Sequence, residues 1–90
     1  MFSFDLTDEL KIKLKKLAKK DWERAAIINK KIKEIVNTNK DSIQHYKNLR
    51  YDLKEFKRVH IDKHFVLIFK VDLVKNIVLF VDIDHHEKIY

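Results

Sequence analysis

Two apolar runs in the last third of the chain, Phe65–Phe69 (FVLIF) and Ile77–Val81 (IVLFV), constrain the fold more than any other feature. Each is five residues long, rich in β-branched and aromatic side chains, and flanked by charged or turn-forming residues. That is the pattern of a buried strand. Around these runs, between Phe56 and Tyr90, lie four of the five histidines (His60, His64, His85 and His86) together with Lys57, Arg58 and Tyr90. The chain must therefore build a sheet that carries imidazoles and a guanidinium near its strand ends.

Strands are expected over about Phe56–Ile61, Phe65–Asp72 and Ile77–Ile83. The connections Asp62–His64 and Leu73–Asn76 are short enough for hairpins, so these three strands should form an antiparallel meander. Upstream, Phe2–Leu6 alternates apolar and polar positions as a short strand does. Thr7 can cap a helix whose first turn holds Asp8 and Glu9, and Leu10, Leu14 and Leu17 give that helix one apolar stripe. Asp21 is a second cap, opening a helix to about Asn37 with Ala25, Ile28, Ile32, Ile35 and Val36 facing inward. Trp22 and the phenylalanines are read as core. Asn37–Ser42 is turn-forming, and Ile43–Leu53 is a loop with a short turn or an edge strand. The order is β-α-α-β-β-β: an α+β fold, an antiparallel sheet packed on an N-terminal helical hairpin, as one domain over residues 1–90.

Composition narrows the function classes. Twenty Lys+Arg against fourteen Asp+Glu leave a net charge of +6, which suits a polyanion or an acidic protein partner. Without cysteine there is no disulfide, thiolate metal site or cysteine nucleophile, and without glycine no phosphate loop or dinucleotide fingerprint. No cofactor is expected. The Lys/Ile/Glu-rich composition resembles that of a thermophile's protein. MFSFDLTDELK lacks a small-residue cleavage site, so no signal peptide is expected, and no apolar run is long enough to span a membrane. A cytoplasmic protein is the simplest reading.

Period-two alternation puts Arg58 and His60 on one face of their strand and Lys57, Val59 and Ile61 on the other. Val59 and Ile61 suit the helix-covered face, so Arg58 and His60 should point outward, and Asp82, Asp84 and His86 should oppose a buried Val81 and Ile83. Imidazoles beside a guanidinium suit RNA cleavage by the 2′-OH: one takes the hydroxyl proton, another group protonates the leaving oxygen, and the cation stabilises the phosphorane. A strand histidine in a lysine-rich protein is more often a solvated surface residue. A zinc site at His85-His86 is disfavoured because adjacent strand residues point opposite ways, so no metal is expected. The lysines of the first helix read as its solvated face, within reach of phosphates. Tyr90 either docks on the sheet or stacks on a base.

The run LKKLAKKD, then HYKNLRYDLKEFKRVHID, HFVLIFKV and DIDHHEKIY, resembles the RelE/ParE superfamily of toxins from toxin–antitoxin pairs, nearest to archaeal RelE proteins and the YafQ-like branch. The resemblance covers nearly the whole chain and implies a RelE-like fold. It also implies a metal-independent endoribonuclease that cuts mRNA in the ribosomal A site until a cognate antitoxin, expected to be small and acidic, neutralises it. His60 falls on the YafQ-like branch's first sheet histidine and His64 on its aspartate, while His86 and Tyr90 fall on its closing histidine and aromatic. Lys47 falls near a further histidine, with His45 two residues away. Phe65-Val66 and His85-His86 stand where many RelE-type enzymes have arginines, so Lys47, Lys57 or Arg58 would supply the positive charge. The implied catalytic set is His60, His64, His86 and Arg58, with Lys47, Lys57, His85 and Tyr90 binding substrate. The alternatives are a ParE-like, non-catalytic inhibitor of DNA gyrase and an RNA-binding module without activity.

Overall fold

A computed structural model of the protein describes residues 1–50 and 53–85. Strand β1 (Ser3–Leu6) leads into helices α1 (Asp8–Lys20) and α2 (Trp22–Val36). A single turn of helix, α3 (Lys40–Ile43), follows, and then strands β2 (Phe56–His60), β3 (Phe65–Asp72) and β4 (Ile77–His85).

Local chemistry sets most of these boundaries. Thr7 Oγ1 accepts the Leu10 N–H at the start of α1 and donates to the Val81 carbonyl at 2.7 Å, so one hydroxyl caps a helix and fastens it to β4. Asp21 ends α1 by donating its N–H to the Leu17 carbonyl and begins α2 by accepting the Arg24 N–H. The helical hairpin thus turns on one residue. Asn39 caps α3 through Ser42, which is the turn-forming chemistry expected for 37–42 closed into a short helix.

The sheet order is β1-β4-β3-β2. The meander β2-β3-β4 is antiparallel as expected, but β1 pairs with β4 in parallel, so the sheet is mixed. The helical hairpin between β1 and the meander supplies the long crossover that a parallel pair requires. Asn76, in the β3–β4 turn, adopts φ 58°, a left-handed conformation that asparagine tolerates in a chain without glycine.

The core lies between the hairpin and one sheet face. Leu10, Ile28, Ile35, Ile43, Leu67, Phe69, Val78 and Phe80 are fully buried, and Leu14, Leu17, Tyr46, Val59 and Ile61 pack against the cluster they join. The five residues expected to face inward on α2 are its buried ones. Trp22 is a correction, because it is 70% exposed. At about 100° per residue it sits roughly 90° around the helix from the middle of the buried stripe, and it is the first residue of α2. Val81 is another. The register shifts between Ile68 and Phe69, pairing Phe69 with Phe80 and Ile68 with Asp82. This bulge makes Val81 the extra residue, half-buried, so Phe80 and Ile83 are the buried pair.

Candidate active site at the strand ends

Packing of Val59 on the core turns its neighbours Arg58 and His60 to the opposite sheet face, as alternation requires. The registers carry that face across three strands. His60 pairs with Val66, which pairs with Asp84; Arg58 pairs with Ile68, which pairs with Asp82. Two rungs result, each basic on β2, apolar on β3 and acidic on β4. Their ends are two strand spacings apart, about 10 Å. Val66 and Ile68 are buried although they lie outside the main core cluster, while His60 is exposed. Partial burial, and then the like charge of Arg50, lower the Arg58 pKa below its ordinary value, but a guanidinium still holds its proton at neutral pH.

The turn after β2 is built on Asp62. Its Oδ1 accepts the His64 and Phe65 N–H groups at 2.8 and 3.0 Å, and its Oδ2 accepts Arg24 Nε at 2.9 Å. Burial pushes the Asp62 carboxyl up, but those two N–H donors and the guanidinium outweigh it and hold the pKa below the usual carboxylate value. His64 is exposed on this turn. Phe65 pairs with His85 across β3 and β4, with ring centroids 4.5 Å apart and planes at 35°. The Arg24 guanidinium lies 4.5 Å from the same Phe65 ring. His60, His64 and His85 therefore gather at one end of the sheet.

Other candidates are placed differently. Lys57 points to the helix side, where its ammonium donates to Gln44 O, Tyr46 O and Asn48 Oδ1 at 3.3, 3.0 and 2.8 Å. Burial lowers its pKa, and the side chain holds the 44–48 loop against the edge of β2. Lys47 is exposed on that loop, its carbonyl accepting the Arg58 N–H at 2.9 Å; His45 is exposed nearby. His86 and Tyr90 lie outside the described residues. Lys13 of α1 reaches past the end of β1 to Asp82 at 2.7 Å, and the hydrogen bond to that carboxylate raises the lysine pKa. A shallow cleft beside it is lined by Lys16, Lys20, Phe65 and Asp84. Among the described residues no three His, Asp or Glu side chains converge as metal ligands would.

Sequence reasoning missed Arg24, Asp62 and Phe65 as parts of this site. Arg24 is the first of only three arginines among twenty Lys+Arg, and it stands in a helix otherwise furnished with lysine. Arginine kept where lysine is the rule was the available signal. Asp62, at the head of a hairpin connection, was another.

Comparison with known proteins bears on this geometry. The family model described as ParE toxin of type II toxin-antitoxin system, parDE, matches residues 12–90. A Methanocaldococcus jannaschii protein bearing a RelE toxin name, RelE4, is 47% identical over 90 residues, covering 100% of this chain and 92% of that one. Escherichia coli YafQ superposes with a TM-score of 0.73 at 15% identity, covering 100% of this chain and 99% of that one. The toxin of the Staphylococcus aureus YoeB–YefM complex gives 0.73 at 15% identity, with 96% and 98% covered. These two likenesses speak to fold, whereas the family model and the archaeal relative speak to descent. The chain belongs to the ParE-type family of type II toxin–antitoxin toxins, within the RelE/ParE superfamily.

Proposed function

We propose that this toxin is a ribosome-dependent endoribonuclease that cleaves mRNA in the A site by attack of the RNA's own 2′-OH. The observation that carries this reading is the outward pair Arg58 and His60 at the end of β2. One imidazole takes the 2′-OH proton as the oxygen bonds to the adjacent phosphorus. The 5′-oxygen leaves with a proton from a second imidazole, giving a 2′,3′-cyclic phosphate and a 5′-hydroxyl. His60 and His86 are the proton-transfer pair, the Asp62 turn holds His64 at the same end of the sheet as His60, and Arg58 faces the charge that builds on the phosphorane. Lys57 acts through the loop it anchors, which presents Lys47. Lysines of α1 along the cleft extend the positive surface that an RNA backbone requires. Its partner in the resting cell is an antitoxin, as membership of a type II toxin–antitoxin family implies. A small acidic protein fits the net charge of +6. No described helix is long and apolar enough to cross a membrane.

Primer extension on an mRNA translated in an extract, with wild type, His60→Ala and His86→Ala, tests the reading. Ribosome-dependent cuts within codons that vanish in both variants are expected. The family model's ParE description favours a second reading, inhibition of DNA gyrase. Intact mRNA together with loss of supercoiling in a gyrase assay would select it.

A further inference from the structure

We propose that Arg24 is a positioning residue that ties both histidine-bearing strand ends to the helical layer. The proposal rests on the nuclease reading of the same site. Arg24 stands in the first turn of α2 and engages three groups at once. Its Nε donates to Asp62 Oδ2 at 2.9 Å, and a terminal nitrogen lies 3.5 Å from Asp21 Oδ2, the cap of its own helix. Its guanidinium carbon sits 4.5 Å from the Phe65 ring centroid.

Two of these contacts lead to a histidine. Through Asp62, whose other oxygen accepts the His64 N–H, Arg24 sets the turn that presents His64. Through Phe65, whose ring meets that of His85, it sets the lateral position of the end of β4, from which the chain runs into His86. His85 is exposed, so the ring stack adds little to stability. What it restricts is orientation at a strand end that lies beyond the reach of β1, which pairs only with Ile77–Phe80.

The choice of arginine carries the argument further. A planar guanidinium can donate in its plane to a carboxylate while laying its face on an aromatic ring, which fixes both directions at once; Lys70, which pairs with Glu55 and lies over Phe56, does so at 3.4 and 5.7 Å against 2.9 and 4.5 Å for Arg24. Lys11, Lys13, Lys31 and Lys70 each join one carboxylate, that of Asp5, Asp82, Glu34 and Glu55. A side chain needed for charge alone would be met by lysine here too.

Two readouts test this on the full-length toxin: histidine ring resonances by NMR, and cleavage of translated mRNA resolved into kcat and KM. Wild type is compared with Arg24→Ala, Arg24→Lys and Phe65→Leu. In Arg24→Ala and Phe65→Leu the His85 ring protons should lose the upfield shift imposed by the Phe65 ring. The kcat of Arg24→Ala should drop about 10- to 100-fold with KM nearly unchanged, as misplacement of reacting groups does. Arg24→Lys should recover folding but only part of kcat. Unmoved His85 resonances in Arg24→Ala, or full kcat in Arg24→Lys, would overturn the proposal. If Arg24→Ala does not fold, Arg24→Lys and Phe65→Leu decide it by the same criteria. A wild type that cuts no mRNA defeats the nuclease reading, and the His85 resonances then decide by themselves whether Arg24 positions the strand end.

Discussion

The two hairpin connections of the meander begin with the same device and end in different states. After β2, Asp62 Oδ1 accepts the N–H groups two and three residues on; after β3, Asp72 Oδ1 does the same with Val74 and Lys75, at 3.0 Å each. The second turn stops there, and Val74 at its tip is 93% exposed. In the first, the other carboxylate oxygen is bound by Arg24, and the residue closing the turn, Phe65, stacks on both Arg24 and His85. Identical local chemistry makes a plain connection at one end of the sheet and a fixed, histidine-bearing corner at the other. The difference comes from what the helical layer brings to each: α2 starts beside the Asp62 turn.

That contrast can be broken by mutation. Asp62→Ala removes the partly buried carboxylate that accepts two backbone N–H groups and pairs with Arg24, and should destabilise by about 2–3 kcal/mol in urea unfolding. Asp72→Ala loses only exposed local bonds and should cost about 0.5–1 kcal/mol. Equal losses would mean that Arg24 adds nothing to the first turn. Arg24→Ala is expected between them, about 1–2 kcal/mol, because it removes two partly exposed ion pairs and one cation–π contact while leaving the turn's own bonds.

Acid should separate the turns as well. The Asp62 pKa in the folded protein is below its ordinary value of 3.8. Its charge-dependent stability is therefore complete above about pH 5 and is lost as pH falls through 3.8 toward the folded value. Unfolding midpoints followed from pH 6 to pH 3 should drop more steeply for wild type than for Asp62→Asn. Parallel curves would show that the carboxylate is not held in its charged form. The smallest effect belongs to the β3–β4 turn: with φ 58° at Asn76, Asn76→Ala should cost about 1 kcal/mol and Asn76→Gly only a few tenths. A loss in Asn76→Gly as large as in Asn76→Ala would place the asparagine side chain, rather than the backbone, in control of that turn.

Much of the architecture was legible in the chain because the relevant signals are short-range. Thr7 and Asp21 bracket a helix by capping it within three residues, and the inward positions of α2 follow from a 3.6-residue period. Alternation along Phe56–His60 was enough to turn Arg58 and His60 to one face. Of the candidate site, the sequence proposed the histidines, of which His60, His64 and His85 lie at one sheet end and His86, like Tyr90, lies outside the described residues, whereas the side chains that brace that end could not be picked out.

Only the tertiary structure decided the rest, because it depends on which distant surfaces meet. Whether β1 joins β4 in parallel turns on the path of the intervening hairpin, which no pattern within Phe2–Leu6 records. The bulge that displaces Val81 arises from matching Phe80 and Ile83 to the same helical layer. Lys57 finds three acceptors on a loop up to thirteen residues before it. Arg24 meets Asp62 across 38 positions of sequence. Periodicity states which face a residue takes; only the folded chain states what that face touches.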